Sequence, residues 1–305
     1  INGEVPGFAH LQDAINAAVD GDVISVCSGT YSGSVVIENS LTILGDASAT
    51  TVLEGDVNEM AVTIRQTEDV KLQGFTVAST RNGIAVEDAT GVVLEDLVVS
   101  DSGQTGIQVE RSEVRIAVST LTVHPFAAID AEESILEVDG CEIGDIQGYG
   151  IRLVESEGSV TDTNISDVTI ADDPGDDDGT CILAQDASGP VFVDRSTLST
   201  CTRVGVYGLN ADLSVSDTAI SDCANGIAGI GPGPVGASTI LGNIVGECPL
   251  FGVFLAAQDA TVQGNVLTVT DPGDNTYGIA VGQDDGVFDV TDNEVSGYGR
   301  TGIWI

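Results

Sequence analysis

Hydrophobic and polar residues alternate along this chain in short runs that return at a nearly constant interval. Each interval is marked by a small residue followed by Ile or Val, and successive marks lie 21 to 31 residues apart. The small residues of these marks are Gly83, Gly106, Ala128, Gly150, Cys181, Gly205, Gly226, Gly252, Gly278 and Gly302. Between the marks, runs such as 92–94 and 97–99 alternate at the period of two that is typical of β-strands. Because one such unit cannot bury its own apolar face, the pattern predicts a stack of β-coils.

The first 33 residues follow a different pattern. Apolar residues from Phe8 to Val19 lie at helical spacing, and Asp20-Gly21-Asp22 is a stop signal. We therefore predict a helix over Phe8–Val19 that covers the open edge of the first coil. Residues 1–33 would form this cap and a first strand, and residues 34–305 one continuous domain of coils.

Residues 8–46 resemble the N-terminal signature of right-handed parallel β-helix proteins of the pectate-lyase-like superfamily. The resemblance is carried by the capping helix, the turn Gly29-Thr30-Tyr31 and the strand Leu41-Thr42-Ile43-Leu44-Gly45. It extends over the whole chain and implies an all-β fold, a right-handed parallel β-helix (solenoid) with an N-terminal capping helix. The superfamily includes lyases, hydrolases, esterases, epimerases, phage tailspikes and adhesins, so the resemblance implies a fold and not an activity.

The charge of the chain limits its partners. It has 48 acidic residues against 9 lysines and arginines, a formal net charge of -39. A field of this sign repels nucleic acids and anionic membranes and keeps a protein soluble. Since no run of 18 apolar residues occurs, we expect no membrane span, and we expect an extracellular or cell-surface location. The last residues, Trp304 and Ile305, stop within a strand, which predicts that the polypeptide continues, that a partner covers this end, or that copies assemble through it.

A column of polar residues precedes the apolar residues in the second half of each coil. It consists of Asp96, Thr120, Cys141, Asn164, Thr197, Thr218, Asn243, Asn265 and Asn293. We interpret it as an inward ladder of side chains that bond to one another at a bend. Asn164-Ile165-Ser166 is a glycosylation sequon, but an inward position would exclude its modification.

One long spacing contains a cluster of carboxylates that is a candidate calcium site. Its members are Asp172, Asp173, Asp176, Asp177 and Asp178. Either they form a solvated loop, or they bind Ca²⁺ weakly, since their spacing does not match an EF-hand. No other cofactor is expected.

The six cysteines favour one disulfide. Cys201, Cys223 and Cys248 lie in nearly one column, about one coil apart. Stacked coils bring α-carbons within the range that a disulfide accepts, and Cys223–Cys248 fits best. Cys27 and Cys141 are expected to be free and buried.

The residue types for catalysis meet at one place in the repeat. Gln108, Asp130 and Arg152 take the same outward position in three consecutive coils, and Glu132 lies alongside. Arg152 could act as a lyase base beside Asp130 as a Ca²⁺ ligand, but a salt bridge between neighbouring strands explains the pair more simply. The catalytic motifs of the superfamily are absent, so we lean against an enzyme.

The outward row continues into an apolar half that predicts a contact surface. Leu183, Tyr207, Phe254 and Trp304 belong to it, unless a loop covers the row. The first functional hypothesis is a secreted or surface β-helix that binds a glycan or a protein subunit through this row, without catalysis. The alternative is a Ca-dependent polysaccharide lyase or epimerase that acts on an acidic glycan through Asp130, Arg152 and Glu132.

Overall fold

The chain winds into a parallel β-solenoid of about twelve coils, as the repeat predicts. The structure is a computed structural model that describes residues 7–56, 58–79, 81–170, 178–231, 233, 236–256, 259–271, 273, 275–282 and 286–305. Within the stack, strands such as Thr105–Glu110 pair in parallel with the equivalent strands one coil before and one coil after them. Strands about 4.8 Å apart give a rod about 55 Å long.

Each coil carries strands on up to three faces. The first face consists of Val23–Val26, Thr42–Gly45, Glu113–Ala117, Ile135–Asp139, Glu157–Thr161, Val191–Asp194, Leu213–Ser216, Ala237–Leu241, Asp259–Gln263 and Phe288–Thr291. The second face consists of Gly29–Ser32, Thr51–Glu54, Thr120–His124, Glu142–Gln147, Asn164–Thr169, Thr197–Cys201, Ala219–Ser221, Ile244–Gly246, Val266–Thr268 and Glu294–Ser296. Lys71–Ala78 and Val92–Ser100 run through both of these faces.

The third face is a separate sheet of twelve strands. Its strands are Val35–Ile37, Val62–Arg65, Ile84–Glu87, Thr105–Glu110, Ala127–Glu132, Tyr149–Val154, Thr180–Gln185, Val204–Leu209, Asn225–Ile230, Phe251–Ala256, Tyr277–Val281 and Thr301–Trp304. The Ile or Val of each sequence mark points inward here and is fully buried from Ile84 to Ile279. Ile303, in the last coil, is 43% exposed, so the interior column runs from Ile84 to Ile279.

The small residue of each mark is required by the corner between the third and second faces. It points inward together with the Ile or Val that follows, so two successive residues share the interior. At Gly106, an added Cβ would lie 2.7 Å from His124 Nε2. A larger side chain at this position would therefore collide with the second face.

The N-terminal helix is shorter than predicted and spans Leu11–Ala17. Leu11 and Ile15 pack on the core, while Phe8 and Val19 are exposed. The Gln12 side chain completes the cap: its Oε1 accepts from the Val36 amide at 2.7 Å, and its Nε2 donates to the Val36 carbonyl at 3.1 Å. The helix thus satisfies main-chain groups at the open edge of the third face.

The polar ladder is present, but four of its predicted members do not point inward. Asp96 lies at a corner with a φ of 49°, and the buried side chain in its coil is Leu97. Three other inward positions are Ser119, Thr163 and Ser196, where the sequence pattern indicated Thr120, Asn164 and Thr197. The Thr218 amide donates to Asn243 Oδ1 at 3.0 Å. Asn164 does not point inward as predicted. The buried side chain is that of Thr163, because the alternation of inward and outward side chains is shifted by one residue from the predicted one.

The disulfide joins Cys181 to Cys201, with α-carbons 5.6 Å apart, and not Cys223 to Cys248. Cys223 and Cys248 are free and buried, and a hydrogen bond to Cys248 raises the pKa of the Cys223 thiol. The predicted pairing joined two cysteines of one column along the stack. The observed disulfide instead connects the third face to the second face across the corner between them. Cys181 occupies the small inward position of its coil and there faces the second-face residue Cys201. Cys27 is exposed, not buried as expected.

Candidate binding surface

The outward row of the third face has the register that the sequence predicts. Residues of neighbouring coils are direct partners along Ala85, Gln108, Asp130, Arg152, Leu183, Tyr207, Ala228, Phe254, Ala280 and Trp304. The row runs from polar side chains to aromatic ones along the rod.

Four aromatic side chains meet at the C-terminal end of this face, and we call them the aromatic platform: Phe251, Phe254, Tyr277 and Trp304. Phe251 and Tyr277 are stacked, with ring centroids 5.2 Å apart and ring planes 9° from parallel. Phe254 lies 5.0 Å from Phe251, and Trp304 lies 6.4 Å from Tyr277. Trp304 is 55% exposed, and the other three rings are half-buried. The platform is a continuous aromatic surface open to solvent.

The backbone of the repeat brings these rings together. Gly252 and Val253 both point inward, so Phe251 and Phe254 on either side of them both point outward. Phe251 pairs directly with Tyr277, and Phe254 pairs with Ala280, which is only 1% exposed because neighbouring side chains cover it. Arg300 covers one side of the platform, with its guanidinium 5.4 Å from the centroid of Tyr277.

Phe251 and Tyr277 were not identified from the sequence. The signal was present, because an aromatic residue directly precedes the small anchor residue in Phe251-Gly252, Tyr277-Gly278 and Tyr149-Gly150. The position before the anchor is also outward, since only the anchor and the residue after it point inward. The third face therefore carries two outward rows, and the sequence pattern of the Ile or Val marks indicates only the one that follows them.

Two of the predicted binding residues lie away from the platform. Leu183 is only 2% exposed and forms a small cluster with Ala127 and Tyr149, against which Tyr207 packs. Leu183 is therefore covered by larger neighbouring side chains, and a ligand cannot reach it without displacing them. Tyr207 is half-buried and contributes to this cover.

The polar end of the third face centres on Asp130 and Arg152. Arg152 Nη1 donates to Asp130 Oδ1 at 2.7 Å, and its guanidinium lies 5.7 Å from the centroid of Phe126. The side chain of Asp130 is only 16% exposed, and that of Arg152 only 24%. Burial raises the pKa of the Asp130 carboxyl, although Arg152 acts in the opposite direction and Glu110 adds to the increase. The geometry is that of a salt bridge between adjacent strands.

Other carboxylates surround this pair without joining it. Gln108 Nε2 donates to Glu110 Oε1 at 2.6 Å, and Asn82 Nδ2 donates to Gln108 Oε1. Glu132 lies two residues beyond Asp130 on the same strand and is exposed. The six third-face strands from Thr180–Gln185 to Thr301–Trp304, in contrast, contain no charged residue. Charge and aromatic surface are therefore segregated along the rod.

The predicted calcium ligands fall mainly outside the described residues. Asp172, Asp173, Asp176 and Asp177 lie there, and of the predicted set the structure describes Asp178, which is half-buried. Over the part of the chain that is described, no three His, Cys, Asp or Glu residues are grouped so that they could hold a metal ion. Calcium binding by the acidic loop stays a prediction.

Comparisons with known proteins give a family and a fold. The residue pattern of the right handed beta helix region matches residues 60–173 and 158–305. A cell surface glycoprotein of Methanothermus fervidus is 26% identical over 101 residues, which cover 32% of this chain and 17% of that protein's length.

Solved structures with the same fold include two polysaccharide-active proteins. The A-module of a mannuronan C-5 epimerase from Azotobacter vinelandii has a TM-score of 0.70 at 14% identity, over 96% of this chain and 93% of that one. A pectate lyase has a TM-score of 0.66 at 13% identity, over 93% of this chain and 73% of that one. At these identities the likeness shows the fold alone. In the described residues no helix has the length and hydrophobicity needed to cross a bilayer.

Proposed function

The chain belongs to the right handed beta helix family, and on that premise we propose that it is a surface-exposed β-helix that binds a neutral glycan and does not transform it. The observation that carries this proposal is the aromatic platform. Four rings gathered on the uncharged C-terminal half of the third face, in a strongly acidic protein, are unusual in a solvent-exposed position.

Sugar rings fit such a surface because their faces carry C–H groups. These groups pack against the faces of aromatic rings, while the hydroxyl groups remain in water. Phe254 and Trp304 are two coils apart, a distance of about 10 Å. A chain of several sugar units could therefore contact both rings at once, with Phe251 and Tyr277 alongside.

The charge distribution favours a neutral glycan over an acidic one. The chain carries a formal charge of -39, so a polyanion is repelled as it approaches. The strands that carry the platform are themselves uncharged. Arg300 is the cation beside the platform, and its guanidinium already lies against Tyr277.

The alternative function uses the polar end of the same face. A Ca-dependent lyase or epimerase would need Asp130, Arg152 and Glu132 to act on an acidic sugar. Asp130 and Arg152 instead bond to each other at 2.7 Å, which occupies the groups that a substrate would need. The relative named as a cell surface glycoprotein supports an extracellular location for either function.

Affinity electrophoresis tests the proposal. The protein should migrate more slowly in gels that contain a neutral polysaccharide, such as a glucan, mannan or xylan, and normally in gels with pectate, alginate or hyaluronan. Phe254→Ala with Trp304→Ala should abolish the retardation. Phe192→Ala is the matched control, because Phe192 is a 48% exposed phenylalanine on the first face.

Two results would contradict the proposal. Retardation that the control abolishes as fully as the double variant would show that binding does not use the platform. A rise in ultraviolet absorbance with pectate or alginate in Ca²⁺, lost in Arg152→Ala, would establish the lyase alternative. Size-exclusion chromatography with light scattering would show whether the platform joins copies of the chain instead.

A further inference from the structure

The sequon Asn164-Ile165-Ser166 lies on the outside of the solenoid. Thr163, the residue before it, is the ladder member and is 1% exposed. Asn164 begins the second-face strand Asn164–Thr169, and its side chain points away from the core. Its Nδ2 donates to Glu142 Oε2 at 2.9 Å, a contact between two outward side chains.

The surface around Asn164 is polar and open. Its direct partners on the two neighbouring coils are Glu142 and Thr197, both exposed. Ser166 follows two residues later on the same side of the strand, and the neighbouring coil has Gly144 there. A Cβ added to Gly144 would lie 3.4 Å from Ser166 Oγ, so the absent side chain leaves room beside the sequon. A sugar attached at Nδ2 would meet small polar groups and solvent.

We propose that Asn164 is an N-glycosylation site and that its glycan projects from the second face. The sequence contains this one Asn-x-Ser/Thr sequon, with no proline at the middle position. The hydroxyl residue that the motif requires, Ser166, is on the same face as the asparagine.

The reaction uses a glycosyl phosphate donor carried by a lipid. A bond forms between Asn164 Nδ2 and the anomeric carbon of the first sugar, and the bond from that carbon to the donor phosphate oxygen breaks. The phosphate leaves with the bonding electrons, and one amide proton passes to a base of the transferase. The product amide keeps one N–H, so a hydrogen bond to Glu142 remains available.

The position of Asn164 also fixes the order of events. Its main-chain N–H donates to the Cys141 carbonyl at 2.9 Å, and its strand pairs with a coil on each side. A transferase that must bend the sequon into its active site cannot do so without breaking these pairings. Transfer therefore precedes closure of this coil, and the folded chain is a poor acceptor.

This inference is independent of the proposed function. The second and third faces are different sides of the solenoid, so a glycan on Asn164 leaves the aromatic platform open. Loss of glycan binding would not affect occupancy at Asn164, and an unmodified Asn164 would not affect binding at the platform.

Mass spectrometry of the chain secreted from a cell with an oligosaccharyltransferase tests the proposal. Peptide mapping should find a glycan on Asn164. Asn164→Gln and Ser166→Ala should each remove it, and Ser166→Thr should retain it, with melting temperatures close to that of the parent. Purified folded chain, incubated with transferase and lipid-linked donor, should be modified far more slowly than a peptide of residues 160–170.

Two outcomes would overturn it. The first is an unmodified Asn164 in the parent chain when another sequon protein secreted by the same cells is glycosylated. Because this result comes from the parent, it does not depend on how the variants fold. The second is a folded chain that accepts glycan as fast as the peptide, which would refute the order of events.

Discussion

Arg152 and Asp130 lie on adjacent coils of the third face, joined by a hydrogen bond of 2.7 Å from Nη1 to Oδ1. Burial nevertheless raises the pKa of the Asp130 carboxyl, because desolvation outweighs the attraction of Arg152. The folded state therefore favours the protonated acid. Stability from this group is fully present below the ordinary pKa of aspartate and is lost as the pH rises through the raised pKa of the folded state.

The first prediction follows from the raised pKa of the Asp130 carboxyl. Asp130→Asn should melt at a temperature equal to or above that of the parent at pH 7, and the advantage should disappear near pH 3. An asparagine oxygen still accepts from Arg152, whereas Asp130→Ala leaves the guanidinium without its acceptor and should lower the melting temperature. Circular dichroism melts at both pH values provide the comparison. Strong destabilisation by Asp130→Asn at pH 7 would show that the charged pair stabilises the fold.

His124 gives a second pH dependence of opposite direction. It is 1% exposed, and burial lowers its pKa to about 4. Neither ring nitrogen has a hydrogen-bond partner of good geometry within the described part of the chain. An interaction with the Val99 main chain and the charge of Asp101 offset the effect of burial on this pKa only in part. The unfolded histidine binds its proton near pH 6.5, so stability is complete above that pH and is lost as the pH falls toward 4.

We therefore predict that the parent loses up to about 3 kcal/mol between pH 7 and pH 4 relative to His124→Leu. Denaturant unfolding at a series of pH values measures the difference, from which the carboxylates common to both proteins cancel. His10→Leu is the control, because His10 is exposed. Equal pH profiles for the parent and His124→Leu would show that His124 is not buried.

The third prediction concerns the disulfide across the corner. Cys181 and Cys201 are 20 residues apart in sequence, and closing a loop of this size stabilises a protein by about 3 kcal/mol. Cys181→Ala with Cys201→Ala should lower the melting temperature and make it insensitive to reductant. Cys223→Ala should keep the sensitivity, because Cys223 is a free thiol. Thiol titration of the denatured, unreduced chain should find Cys27, Cys141, Cys223 and Cys248, and protection of Cys223 with Cys248 would support the pairing predicted from sequence.

The fourth prediction concerns carboxylates stacked at a corner. Glu133, Glu155 and Asp186 occupy the same corner position of three successive coils, each with a φ near 50°. Asparagine tolerates this left-handed conformation better than glutamate does. Glu155→Asn should raise stability by about 1 kcal/mol at low salt, and part of this gain should vanish in high salt. Glu155→Gln, which removes the charge alone, should show only the salt-dependent part, and equal melting temperatures for all three proteins would contradict the prediction.

Much of the fold could be predicted from the sequence because a solenoid repeats its constraints. The alternation of Ile151 with outward Arg152 returns in every coil, so one correct register places the whole third face. The boundaries of the cap were less predictable. Phe8 and Val19 fit the helical pattern but do not contact the core, and the extended backbone at Ala18 ends the helix.

The parts that the sequence did not predict depend on contacts across corners. Cys201 bonds to Cys181, which points inward from a third-face strand and therefore lies in a different column from Cys201. Thr163 and Asn164 are adjacent in the chain. An error of one residue in the predicted alternation therefore exchanges the buried side chain for the outward one. Leu183 is apolar and outward by register, yet side chains from neighbouring strands cover it.

Fluorescence of Trp304 tests glycan binding at the platform most directly. Trp304 is the only tryptophan of the chain, so its emission reports on this surface alone. Titration with a neutral oligosaccharide of four to six units should change the emission wavelength saturably, because a stacked sugar displaces water from the indole. Tyr277→Ala should weaken the response at least tenfold, and Phe192→Ala should leave it unchanged. An emission spectrum that no neutral oligosaccharide alters, in a protein that melts cooperatively, would contradict glycan binding at the platform.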